Sequence, residues 1–201
     1  MVSQKPQILK QYNDLTECFY PDTTYNTNEY YRAFLLCSPV VVGHLVWDKP
    51  YLRVWENYKL REESIANWMR GMCVSLGHSP KDTKLYIKHE MGAECGARSS
   101  HAHIILFSGG IGNKDPSVLS NYLRQSWTKG WNKFSADRPS LYRQGDARIE
   151  PLNAEKIKQG IAYITKIEYS YGRPVPPQDL LTPKLSNMVK RINEELNPDL
   201  I

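Results

Sequence analysis

At 201 residues the chain is long enough for one domain with a proper core and too short for two full ones. Its 41% hydrophobic and 23% charged residues are the proportions of an ordinary globular protein, which excludes disorder as the reading for the bulk of it. Lysine and arginine number 26 against 21 acidic residues, a formal charge of +5 that favours polyanionic partners, and the 13 tyrosines and 5 tryptophans supply rings of the kind that stack on unpaired bases.

Residues 1–31 are rich in Tyr, Thr, Asn and Asp without a helical or strand period, and read as an N-terminal arm or edge segment. From 32 to 47 an apolar run rich in Val and Leu predicts one or two central strands, broken near Pro39. Between 57 and 76, Ile65, Trp68, Met69, Met72 and Leu76 recur at the spacing of one helical face, and Gly77 with Pro80 ends that helix. Two strands follow at 83–91 and 100–108, joined by a loop rich in small residues, and antiparallel pairing is expected.

A second helix is expected to start near Asp115-Pro116-Ser117, to turn Val118, Leu119, Tyr122, Leu123 and Trp127 inward and to end near Gly130. A polar loop over 131–146, a short strand over 148–152 and a third helix over 154–168 capped by Asn153 come next. Closely spaced prolines make 172–177 an extended connector, after which Leu185, Met188, Val189, Ile192 and Leu196 mark a last amphipathic helix. The organisation is therefore an arm over 1–31, a core over 32–171, and a connector with a C-terminal helix over 172–201. The fold class is α+β, a mainly antiparallel sheet with flanking helices.

Cys18, Cys37, Cys73 and Cys95 have no paired spacing and no charged-then-apolar segment opens the chain, so a reducing compartment without disulfides is expected. The most apolar stretch, 34–47, is too short for a membrane span, and no membrane partner is expected.

Two constellations carry chemistry. In His101-Ala102-His103 the histidines lie two apart on a strand, so both imidazoles leave the same face and can share one ion. A hairpin brings Glu90 of the preceding strand across from them, and two nitrogens with one carboxylate suit Mn²⁺ or Mg²⁺. Three rivals stand beside this reading: an ordinary hydrogen-bonded pair of sheet histidines, a zinc site recruiting His89 and Cys95, and a cupin-like site, for which 104–110 lacks the carboxylate. The second constellation is Tyr163-Ile164-Thr165-Lys166, in which three-residue spacing sets the phenol and the ammonium on neighbouring turns of one helical face, away from the stripe of Ile157, Ile161 and Ile164. A tyrosine on a polar helix face beside a lysine also fits an ordinary surface residue; taken with the histidines, the pair describes a machine in which a metal polarises a phosphate, a phenol attacks phosphorus, and Lys166 lowers the phenol's pKa or neutralises charge on the covalent intermediate.

A His-x-His strand, a carboxylate on the strand before it and a later Tyr-x-x-Lys helix resemble the HUH endonucleases, in the motif order of rolling-circle replication initiators (Rep type). The resemblance covers about residues 32–170 and implies metal ligation by His101, His103 and Glu90, nucleophilic attack by Tyr163 and assistance from Lys166. It implies site-specific nicking and rejoining of single-stranded or hairpin DNA through a 5′-phosphotyrosine, with a separate helicase and polymerase, since no phosphate-cradling P-loop is present. A cytoplasmic location in a bacterial or archaeal host is implied, or a nuclear one if the source is a eukaryotic virus. Departures are Ala102, smaller than the usual residue between the histidines, the absence of a readable first-strand motif, and Tyr169 and Tyr171 as further tyrosines. Lys88, Arg98, Arg124 and Lys129 are candidate DNA contacts. A single-tyrosine transposase of the same chemistry, or a nucleic-acid-binding module with a structural metal, remains the alternative.

Overall fold

The computed structural model describes residues 30–47, 58–90, 101–128, 144–153, 155, 157–166, 169–170, 173–174 and 179–196. Helix α1 (Tyr30–Leu36) leads into strand β1 (Pro39–Trp47), followed by α2 (Tyr58–Ser75), the hairpin strands β2 (Leu85–Glu90) and β3 (His101–Phe107), α3 (Pro116–Thr128) and β4 (Gln144–Pro151). Helix α4 (Ile157–Ile164), the two-residue strands β5 (Tyr169–Ser170) and β6 (Arg173–Pro174), β7 (Asp179–Leu181) and α5 (Pro183–Leu196) complete the described chain. Strands β4, β1, β3, β2 and β7 form, in that order, one five-stranded antiparallel sheet. Within it, β1-α2-β2-β3-α3-β4 traces the split β-α-β pattern, which leaves β3 between β1 and β2.

Strand alternation sorts the core into two layers. On one face Val41, Leu45, Ala102, Ile104, Leu106, Leu85, Ile87, Ala147 and Ile149 pack against α2 and α3, which contribute Ile65, Trp68, Met72, Leu119, Leu123 and Trp127. The Trp68 and Trp127 rings meet edge to face at 5.5 Å, with the Trp68 indole donating to Ser126 Oγ at 2.9 Å and that of Trp127 to the Val46 carbonyl at 3.2 Å. Buried indoles need such partners. On the other face Tyr86, Ile105 and Phe107 pack against Phe34 and Leu35 of α1, Ile161 and Ile164 of α4, and Leu185, Val189 and Ile192 of α5.

The alternation and periodicity read from the sequence locate α2, β2, β3, α3 and α5 to within a few residues. Asp115 Oδ1 caps α3 by accepting the Ser117 and Val118 amides, both at 3.0 Å; Asn153 Oδ1 accepts the Glu155 amide at 2.9 Å, but α4 begins at Ile157 and not at the expected 154. Four further expectations are corrected. The stretch before Pro39 is the helix α1, closed by the Cys37 amide on the Ala33 carbonyl and turned by Ser38 at φ 55°; a short apolar run fits helix and strand alike. Val118, expected inward, is 68% exposed, because the buried stripe of α3 runs through Leu119, Leu123 and Trp127. Strand β4 begins at Gln144, inside the expected loop. The core extends past residue 171, since β7 pairs with β2 and α5 closes the second layer, with the Thr182 amide donating to the Leu85 carbonyl and the Leu85 amide donating to Thr182 Oγ1, both at 3.0 Å. Among the described residues, no helix is long and apolar enough to cross a membrane.

Two predictions follow from the packing. Gly43 sits where β1 meets β4, and a methyl there would collide with the Arg148 carbonyl oxygen and lie 2.8 Å from Ile149 Cα. Gly43→Ala should lower stability by about 1–3 kcal/mol in urea unfolding, the range for overpacking against an unyielding backbone. The second concerns Cys37, which is buried at the C-terminal end of α1, and whose thiol is raised from 9.0 to about 12 by burial, partly countered by Lys84. A thiol that ionises more readily when unfolded contributes stability in full below its unfolded value and loses it as pH rises from about 9 towards 12. Urea midpoints should therefore fall more steeply from about pH 8 to about pH 10.5 in the wild type than in Cys37→Ala. Equal slopes would show that this thiol is not the linked group.

Candidate active site

Strand pairing lines up polar residues across the face that carries α4. Arg148 of β4 pairs with His44 of β1, His44 with His103 of β3, His103 with Lys88 of β2, and Lys88 with Asp179 of β7. Residues directly opposed in antiparallel strands project from the same face, so one row of side chains crosses β4, β1, β3 and β2, and the backbone of β7 continues the register at Asp179. In the next row His101 lies between Val46 and Glu90. The row on the other side, Glu150-Val42-Ile105-Tyr86-Leu181, contributes Ile105 and Tyr86 to the core beneath α1, α4 and α5. The face thus passes from apolar to polar between Ile105 and His103.

Three imidazoles gather at this boundary. The ring centres of His101 and His103 are 5.1 Å apart, and His44 lies 6.0 Å from the first and 6.2 Å from the second. His103 is buried and His101 half-buried. His44 was not singled out from the sequence as a site residue; the signal was there, since it is the single titratable side chain in PVVVGHLVW. Recognising it required knowing that β1 borders β3.

Helix α4 brings the second constellation to the same place. Its Ile161 and Ile164 are buried in the core while Tyr163 is 41% exposed, as the helical spacing predicted. The Tyr163 ring meets His103 edge to face at 5.3 Å, and Lys166 Nζ lies over the Tyr163 ring, 4.2 Å from its centre. The helical geometry expected for the pair is corrected: α4 ends at Ile164, where the Thr165 amide and Oγ1 both donate to the Ile161 carbonyl, so Lys166 lies past the helix. The cation meets the ring because the chain turns after the helix, and the contact is a cation–π pair.

Lys88 is placed differently from the open DNA contact expected of it. It is 3% exposed and its ammonium donates to the Lys166 backbone carbonyl at 2.7 Å, so it belongs to the inside of the site. Arg124 is exposed and donates to Asn121 Oδ1 at 3.1 Å, but on α3, which covers the opposite face of the sheet from the histidines. Arg148, at the end of the polar row, is an exposed arginine on the histidine face. Arg98, Lys129, Tyr171 and Cys95 lie outside the described residues, as do the side chains of Glu90 and Tyr169.

An imidazole nitrogen binds a divalent ion at about 2.1 Å, and rings centred 5.1 Å apart can span one ion with a nitrogen from each. Among the described side chains no group of three or more His, Cys, Asp or Glu is placed to hold a metal. The strand register sets the backbone of Glu90 opposite His101, where the expected third ligand would be anchored. His89 projects to the opposite face with Ala102, apart from the histidine pair, which removes it from a shared site. No family model, curated protein or solved structure matches the chain.

Proposed function

We propose that the protein is a metal-dependent nickase and rejoining enzyme for single-stranded DNA, of the HUH Rep type, with Tyr163 as nucleophile. The observation that carries this reading is the meeting of Tyr163, His103 and Lys166: a solvent-reachable phenol stands against a strand histidine with a cation over its ring. A tyrosine serving only the core would be buried with the isoleucines of α4.

His101 and His103 would hold Mn²⁺ or Mg²⁺, with Glu90 as the oxygen ligand. The chemistry such an ion supplies when bound is polarisation of the scissile phosphate. Tyr163 Oη forms a bond to phosphorus as the bond from phosphorus to the 3′ oxygen breaks; the phenol proton leaves to solvent and the 3′ oxygen takes one up. The product is a 5′-phosphotyrosine and a free 3′ hydroxyl, and attack by that hydroxyl reverses the step. Lys166 offsets negative charge next to the attacking oxygen, and Arg148 supplies a cation at the rim of the same face. Helicase and polymerase activities would come from separate proteins.

Incubation with labelled single-stranded oligonucleotides and Mn²⁺ should yield a DNA–protein adduct on a denaturing gel, abolished by Tyr163→Phe and by chelator. Tight binding without an adduct across an origin-containing panel would instead assign the chain to the nucleic-acid-binding modules, and joining of two different DNA ends would assign it to the transposases. Metal binding has its own readout. Mn²⁺ added to the wild type should lose free-ion signal in electron paramagnetic resonance, and His101→Ala with His103→Ala should restore that signal without loss of the folded circular dichroism spectrum.

A further inference from the structure

Lys88 is an uneconomical residue at its position. An ammonium at 3% exposure gives up its hydration, and a methionine of similar length would occupy the space without that penalty. Its contacts show what the charge accomplishes. Lys88 is paired in register with His103, whose ring meets Tyr163; Tyr163 lies under the Lys166 ammonium; and the Lys166 carbonyl accepts from Lys88 at 2.7 Å. The four residues form a closed circuit joining the histidine strand to the segment after α4.

Ile161 and Ile164 anchor the helix to the sheet and the buried Thr165 closes it on the Ile161 carbonyl; Lys166 follows past the last helical residue, and there its own carbonyl accepts the Lys88 ammonium. A charge-assisted bond at 2.7 Å is short and strong for its class. It reaches the backbone of the residue whose side chain covers the phenol. We propose that Lys88 is a positioning residue, whose ammonium pins the backbone at Lys166 to the sheet and so holds the Lys166 cation over Tyr163 beside the histidines. That this placement serves nucleophilic attack rests on the function proposed above; the placement itself does not.

The test compares Lys88→Met, which keeps the stem and removes the donors, with Lys88→Arg, which keeps donors. In the wild type, ring current from Tyr163 should shift the Lys166 ε-methylene protons upfield in NMR spectra, an effect identified by its loss in Tyr163→Ala. Lys88→Met should return them to ordinary lysine values and Lys88→Arg should retain the shift. Leu119→Ala, which weakens the core on the other face, should leave it in place. In the adduct assay Lys88→Met should slow the reaction at saturating DNA by on the order of 10²-fold, as misplacement of a reacting group does, with unchanged half-saturating DNA and recovery in Lys88→Arg.

Unmoved Lys166 resonances in Lys88→Met, or an equal loss in Leu119→Ala, would overturn the proposal. If Lys88→Met does not fold, the wild type decides: a scalar coupling from Lys88 Nζ to the Lys166 carbonyl carbon supports the pin, and its absence refutes it. If the wild type forms no adduct, the nuclease reading falls, while the NMR comparison still decides the positioning role.

Discussion

Strand β3 is paired along both edges, and the site depends on that pairing. It sets His103 opposite His44 on one side and opposite Lys88 on the other, and His101 opposite Glu90. Because side chains alternate with a period of two, a slip of one residue would send both histidines into the layer of Ile104 and Leu106 and bring those apolar side chains out under Tyr163. Such a slip would bury imidazoles among the aliphatic residues of α2 and α3. The apolar layers therefore enforce the register that aligns the polar row.

The two faces of the sheet divide the work. Helices α2 and α3 cover one face with a continuous apolar layer containing the Trp68–Trp127 contact. The other face is apolar only as far as Ile105, where α1, α4 and α5 pack, and becomes polar at His103. Helix α4 lies at this boundary, which explains how one short helix can bury Ile161 and Ile164 while presenting Tyr163 to solvent and to His103. The rigid sheet carries the imidazoles and the end of a helix carries the phenol, so the two groups are held by different elements. Their relative placement depends on the contacts that join those elements, among them the ring contact of His103 with Tyr163 and the bond from Lys88 to the Lys166 carbonyl just past the helix.

Much of the architecture was legible because its elements have strong local signatures. The helical stripe of α2, the hairpin alternation of β2 and β3, the Asp115 cap and the apolar face of α5 each follow from residue spacing. Helix α1 was misread because Ala33-Phe34-Leu35-Leu36 has no polar residue to reveal a period, and β7 passed unnoticed because three residues are too few to show alternation. The assignment of Lys88 to the surface failed for a related reason: lysine is rarely buried, and the carbonyl that stabilises it here comes from a distant part of the chain.

By itself the sequence determined which residues share a face: His101 with His103 and Phe107 on β3, and Tyr163 apart from Ile161 and Ile164 on α4. Those relations follow from the strand and helix periods, which any chain obeys locally. Only the tertiary structure decided that β1 borders β3 and so brings His44 to the pair, that Tyr163 meets His103, and that Lys88 reaches the backbone of Lys166. Periodicity carries no information about which strands become neighbours or which helix covers which end of a sheet. Those choices are made when the apolar layers close over the sheet, and the polar row lies where that closure stops.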